Sequence, residues 1–238
     1  MREIGGRRRL RRLAAFLFAA GVATLAWLVL VIAWQDPFTA LYAARQQDRL
    51  ETECEAAAPR SRPDPAPVRV KEHSDVERLL RRAARSYPVS LPPGRPMGRL
   101  TVPRLGLELI VLNGASGADL RRGPGRDLRT FMPGEGKLVY VAGHRTTYGA
   151  PFRHIDDLRR RDFIFLEVPY GRFRYAVTGS VVVTPDDTGR LRPRGREELA
   201  LQASHPPYSA RQRYIVYAKL VGFAGFTGAS RAHPPTRS

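Results

Sequence analysis

Residues Leu13 to Trp34 read LAAFLFAAGVATLAWLVLVIAW, 22 consecutive residues without a charge. At ~1.5 Å of rise per residue, a helix of this length crosses a hydrocarbon layer of ~30 Å. In lipid the backbone must satisfy its own hydrogen bonds, so a helix is the one form a single lipid-exposed apolar segment takes. The segment therefore predicts one spanning helix at residues 13–34. Before it stand Arg2, Arg7, Arg8, Arg9, Arg11 and Arg12. After it come Asp36, Asp48, Glu51, Glu53 and Glu55 against Arg45 and Arg49. The positive-inside rule then keeps residues 1–12 in the cytoplasm and puts everything after Trp34 outside, with Trp27 and Trp34 toward the outer end. A cleaved signal peptide is the alternative, but it uses a shorter apolar core of ~7–15 residues and a small-x-small site. Here Gln35-Asp36-Pro37-Phe38 follows the core. The reading is an uncleaved, single-pass signal anchor in the cell membrane.

The formal net charge is +18, and all but Lys71, Lys137 and Lys219 of the 40 basic residues are arginine. Clustered positive charge is the footprint of nucleic-acid binding. These arginines are scattered, and no helix-turn-helix, zinc or aromatic RNA-binding pattern accompanies them, so nucleic acid is not an expected partner. The charge suits anionic lipid or acidic wall polymers better. Cys54 is the one cysteine, which forbids an intrachain disulfide and a cysteine-based metal site. His73, His154 and His233 have no partners at ligand spacing, so neither a metal nor a cofactor is expected.

Residues 35–98 read as a connecting region. Thr39–Glu55 has irregular helical spacing and predicts a juxtamembrane helix. Four prolines in Ala58–Val70 favour an extended stalk. Ser74 with Glu77, followed by Val76, Leu79, Leu80, Ala83 and Ala84, predicts a short helix over 74–86. From Arg99 the pattern changes to short runs rich in Val, Ile, Leu, Phe and Tyr, at 99–103, 108–113, 138–142, 163–168, 173–184, 199–203 and 214–223. Asn113-Gly114, Pro124-Gly125, Pro133-Gly134 and Tyr170-Gly171 punctuate them. Seven or eight strands over residues 99–228 predict a mainly β domain, a barrel or sandwich, with one helical excursion at Ala150–Leu158 and a loose tail over 229–238.

Three polar features stand beside strand ends: His144 after Leu138–Ala142, Ser204-His205-Pro206 after Leu199–Ala203, and Arg213 before the final strand. A histidine, a hydroxyl and an arginine at one barrel rim make a workable acyl-transfer set. From spacing alone, such residues are more often ordinary turn and surface positions. Two longer blocks carry more. GHRTTYGAPF at Gly143–Phe152 is preceded by GPGRDLRTFMPGEGKLVYVA and followed by DDLRRRDFIFLEV. LALQASHPPYSARQRYIVYAKL spans Leu199–Leu220. In this order they resemble the histidine and nucleophile blocks of the sortases, most closely the actinobacterial class E. The resemblance implies a sortase-like β-barrel of seven or eight strands with short helices behind an N-terminal anchor. It implies a membrane-bound transpeptidase that cleaves Leu-Pro-x-Thr-Gly or Leu-Ala-x-Thr-Gly sorting signals and joins surface proteins to an amine of the cell wall or pilus. By it, His144 takes the general acid/base position, Arg213 the substrate or oxyanion position, and Tyr148 and Phe152 substrate-binding positions, although both aromatics also read as core residues.

Ser204 stands where the family carries its cysteine, and Ala203 replaces the usual threonine before it. A thiol of pKa ~8.5 can be held as thiolate beside an imidazolium. A serine hydroxyl needs a base that takes its proton during attack, normally a histidine oriented by a carboxylate. Asp156, Asp157, Asp186 and Asp187 are the available orienters. Two readings stay open: a transpeptidase or hydrolase using Ser204, and an inactive sortase-like module that binds a sorting-signal peptide or a partner sortase. Cys54, between Glu53 and Glu55, is a poor nucleophile by charge, and His205 falls on the strand face opposite Ser204.

Overall fold

The computed structural model describes residues 3–34, 37–57 and 73–225. The proline-rich stalk, the tail over 229–238 and His233 lie outside these residues. Helix α1, Glu3–Trp34, contains the one stretch among the described residues that is long and apolar enough to cross a membrane, Arg9–Leu30, and none of it is buried by the rest of the chain. Helices α2 (Pro37–Ala57) and α3 (His73–Ser90) follow, so both predicted helices form and each extends past its expected ends.

Eight strands make a closed barrel: β1 (Pro96–Val102), β2 (Leu107–Asn113), β3 (Gly125–Arg126), β4 (Leu138–Ala142), β5 (Phe163–Val168), β6 (Gly171–Val183), β7 (Glu198–His205) and β8 (Gln212–Gly225). Around the wall they run β1-β2-β3-β4-β7-β8-β6-β5 and close through β1 and β5. The seven apolar runs each become a strand. The eighth, β3, is two residues long and has no run of its own to announce it. The expected helix at 150–158 is reduced to a single 3₁₀ turn, Ile155–Asp157, where Ile155 and Leu158 are buried and the remaining residues stay in turns.

Strand pleating sends alternate side chains to opposite faces. On β4, Val139 and Val141 point into the barrel with Leu199, Leu201 and Ala203 of β7 and Val216 and Ala218 of β8. Leu138 and Tyr140 point outward, where Ala200, Ile215, Tyr217 and Val183 join them in a second cluster. Both faces of β4 are thus covered, which explains its unbroken apolar sequence. Leu80 and Ala84 of α3 close one end of the barrel against Phe173.

Helix α2 is part of this body. Leu50 is fully buried with Ile110 and Leu112. The Gln47 amide accepts from Ile110 N at 2.8 Å and donates to Ile110 O at 3.4 Å and Arg122 O at 3.1 Å. Glu51 pairs with Arg99 at 2.6 Å, and Glu53 with Arg95 at 3.2 Å. Where β1 meets β5, Gly98 lets the chains touch, because a Cβ there would lie 2.1 Å from the Glu167 carbonyl oxygen. Backbone on both sides leaves little room to yield. Gly98→Ala is expected to destabilise the domain by about 2–3 kcal/mol, a drop of ~5–10 °C in thermal midpoint, measurable by circular dichroism. An unchanged melt would show that β1 and β5 are not in this contact.

Candidate functional site

The register of three strands assembles the site. β4 and β7 run parallel with Ala142 opposite Gln202, and Gly143 N continues the ladder by donating to Gln202 O at 3.0 Å. Two residues further on, His144 comes level with Ser204. β7 and β8 run antiparallel with Ser204 opposite Arg213. Since Ala203 and Leu201 face the core, alternation turns Ser204 outward, and His144 and Arg213 share that face. The three follow one another as an outward row: Ser204 and Arg213 are paired in the ladder, and His144 lies two residues past the last β4–β7 pair. Beside the row the same outer face is apolar and already covered: Tyr140, Ala200 and Ile215 are buried, with Leu191 of the β6–β7 connection packed against them.

The row is loosely wired. Ser204 Oγ makes no hydrogen bond among the described residues, to His144 or to any other group. His144 Nδ1 meets the Thr147 hydroxyl at 3.3 Å, and Tyr148 lies 5.0 Å from its ring, centroid to centroid. None of the four expected orienting carboxylates reaches it. Asp156 pairs with Arg145, Asp157 with His154 and Asp187 with Arg190, while Asp186 makes no bond among the described residues. Burial first, and the positive charge of Arg121 second, hold the His144 imidazole below the ordinary histidine value. It is the neutral, proton-accepting form that the site favours near pH 7. Arg213 Nη1 donates to Ala210 O at 2.9 Å and Gln212 O at 3.1 Å. Among the described residues no carboxylate engages it, and Nε and Nη2 make no bond there.

Of the two aromatic residues, Tyr148 lies half-buried against His144, with a φ of 51° that a bulky residue rarely adopts. Phe152 does not line the groove. It is 0% exposed in the barrel core, directly beneath Gly143, where an added Cβ would lie 2.6 Å from its ring. Its place is to support the histidine loop, because the chain turns inward after Ala150 to fill the barrel mouth.

Behind the outward row stands an inward one, and here sequence reasoning missed a residue. Arg145 is 3% exposed. Its guanidinium donates to Ser204 O at 3.4 Å, His205 Nδ1 at 3.0 Å and Arg153 O at 3.3 Å, and pairs with Asp156 at 2.6 Å. The same charge lies 5.8 Å from the centre of the Tyr214 ring. An arginine after Gly-His in a turn-rich stretch reads as surface. Only its odd place in the strand alternation signals that it points inward. Because guanidinium can only donate, His205 Nδ1 is the acceptor and the ring proton sits on Nε2. His205 faces away from the row, as the alternation predicts. No group of three or more His, Cys, Asp or Glu among the described residues is placed to hold a metal.

The sequence pattern described as the Sortase domain matches residues 100–221. Sortase D of Bacillus subtilis (strain 168) is 33% identical over 132 residues, covering 54% of this chain and 65% of that protein. The chain thus spans just under two thirds of that relative. The structure of sortase E from Streptomyces avermitilis superposes with a TM-score of 0.52 at 29% identity, covering 59% of this chain and 97% of that one. Sortase E1 from Streptomyces coelicolor, solved with a tripeptide in the active site, gives a TM-score of 0.54 at 27% identity, covering 60% and 98%.

In an NMR titration of the histidine rings, His144 is expected to titrate below the ordinary ~6.5. Arg121→Ala should raise that midpoint part of the way, since burial is the larger cause. A folded value below the unfolded one means the unfolded chain takes up the proton first. The stability His144 contributes is therefore present above ~6.5 and lost as pH falls through its folded value. Arg145→Met should cost roughly 2–4 kcal/mol, because it strips the Ser204 and Arg153 carbonyls of a buried donor. Lysine, lacking the planar fork, should recover only part of it. A chemical-denaturation midpoint unmoved by both changes would contradict the buried placement.

Proposed function

The chain belongs to the sortase family, and on that premise we propose that it is a membrane-anchored, outward-facing receptor for sorting-signal-like peptides. Its acyl transfer is held back at one atom, the Ser204 oxygen. The N-terminus stays in the cytoplasm and the barrel lies outside, a reading supported by the six arginines before Leu13 and the acidic residues after Trp34. The peptide lies at the ends of β7 and β8 beside Ser204 and Arg213, because the apolar outer face further along these strands is already covered. Tyr148 borders it, and Arg213 offers its free donors to a carbonyl oxygen at the scissile position.

One observation carries the reading: His144 is backed by a hydroxyl, Thr147, and by no carboxylate among the described residues. A cysteine in place of Ser204 could lose its proton to His144 and persist as thiolate. A serine has to be deprotonated within the transition state, and an unoriented imidazole that makes no bond to it contributes little. The peptide in the active site of sortase E1 from Streptomyces coelicolor supports the choice of ligand. The amine acceptor that completes transfer in a working member of the family has no acyl-enzyme here to attack.

The test compares the natural protein with Ser204→Cys and Ser204→Ala on Leu-Ala-x-Thr-Gly and Leu-Pro-x-Thr-Gly peptides, with oligoglycine as amine. Binding, followed by fluorescence anisotropy, should be similar in the natural protein and Ser204→Ala. Cleavage should rise on the order of 10²-fold or more in Ser204→Cys. Efficient cleavage by the natural protein, abolished in Ser204→Ala, would establish a serine transpeptidase and overturn the receptor reading.

A further inference from the structure

One stretch of the outer barrel wall carries positive charge that the fold itself does not consume. On β6, Arg172 and Arg174 alternate with the core residues Phe173 and Tyr175, so both point outward, and both are exposed. Each guanidinium lies against a ring of the neighbouring strand β5. Arg172 is 4.8 Å from the centre of the Phe165 ring, and Arg174 is 5.2 Å from that of Phe163. On its other side Arg174 rests over Gly222 of β8, where an added Cβ would lie 3.5 Å from Nη2. Among the described residues neither arginine pairs with a carboxylate, whereas Arg99, Arg129, Arg145 and Arg190 each hold one. Lys219, opposite Ala176 in the ladder and exposed, continues the line of charge one step along the wall. Two carboxylates border it. Glu167 stands opposite Arg172, and Glu198, opposite Lys219, is taken up by Arg194 and Arg196. Positive charge is left in excess.

A guanidinium stacked on a ring keeps its N–H edge for a ligand while the ring fixes its plane, which lowers the cost of ordering it on binding. Phe163, left 46% exposed, serves as such a platform. The strand sets the spacing: residues i and i+2 stand ~6.6 Å apart. A polymer of phosphodiesters joined through short polyol units presents its charges at a comparable interval and in single file. We infer that the outer face of β5, β6 and β8 binds a linear phosphodiester polymer, with Arg172 and Arg174 each taking one phosphate through paired N–H donors. The single file of charge favours a polymer over a bilayer, whose headgroups spread in two dimensions. This face lies at the far end of β8 from the groove, since Arg172 pairs with Ala224 and Arg213 with Val183. The inference therefore goes beyond the peptide reading and does not need it. A barrel held to a polymer by this wall keeps Ser204 open to its own ligand.

The experiment places the full chain in discs of phosphatidylcholine bilayer and follows the binding of fluorescein-labelled poly(glycerol phosphate) by anisotropy at low salt, with no peptide present. Arg172→Gln combined with Arg174→Gln should weaken binding about ten-fold or more. Arg172→Lys with Arg174→Lys should recover only part, because lysine keeps the charge and loses the stacked fork. Phe163→Ala with Phe165→Ala keeps every charge and should still weaken binding several-fold by freeing the guanidinium planes. Arg82→Gln with Arg85→Gln removes the same net charge from the exposed side of α3 and should cost less than about two-fold. The exposed arginine pair carries the test even where the phenylalanine pair fails to fold. Equal losses from the two arginine pairs would overturn the inference, since only net charge would then be felt. Displacement of the polymer by phosphatidylglycerol vesicles at matched phosphate concentration would also overturn it and give the face to a lipid surface.

Discussion

The parallel ladder between β4 and β7 is the constraint on which the site depends. Five registered pairs, from Leu138 opposite Glu198 to Ala142 opposite Gln202, fix how far each strand reaches. A slip of one residue would turn Ser204 inward and bring His205 out, because the pleat alternates at every position. That slip is prevented on both sides of the sheet. Inside, Val139, Val141, Leu199, Leu201 and Ala203 share one core, and outside Leu138, Tyr140 and Ala200 share another. Arg145 adds a polar lock at the strand end, tying the residue after His144 to the carbonyl of Ser204.

How the site could work follows from what lies on each face of that ladder. The outward row carries groups that a ligand can meet, and they are left under-bonded. The inward row, Arg145, His205 and Tyr214, is saturated with contacts and holds the backbone. Rigidity is thus supplied from behind while the front stays open, which is how a site can be preorganised without its polar groups being consumed. Burial first, and the positive charge of Arg121 second, disfavour a resident imidazolium at His144, so in the resting site the ring is neutral and able to accept a proton.

Much of this was legible in the sequence. Seven of the eight strands announce themselves by composition, and the two blocks around His144 and Ser204 carry the family. β3 was invisible because two residues, Gly125 and Arg126, hold no periodicity. Phe152 misled because an aromatic near a catalytic loop reads equally as wall or as core, and only the close approach of Gly143 decides it. Arg145 was hidden by its charge, which favours a surface reading until the parity of the strand is known. The missing carboxylate behind His144 is a matter of three-dimensional pairing. Asp156 and Asp157 sit close in sequence but are committed to Arg145 and His154.

The amide of Gln47 has a consequence for how the barrel keeps to itself. β3 is too short to cover the outer margin of β2, so the amide and carbonyl of Ile110 point to a gap in the wall. Gln47 fills that gap by offering one donor and one acceptor, as a passing strand would. An open margin of this kind invites a strand from another molecule. A fragment begun after α2 would retain every strand of the barrel and yet expose the margin of β2 beside Leu112 that Gln47 and Leu50 cover.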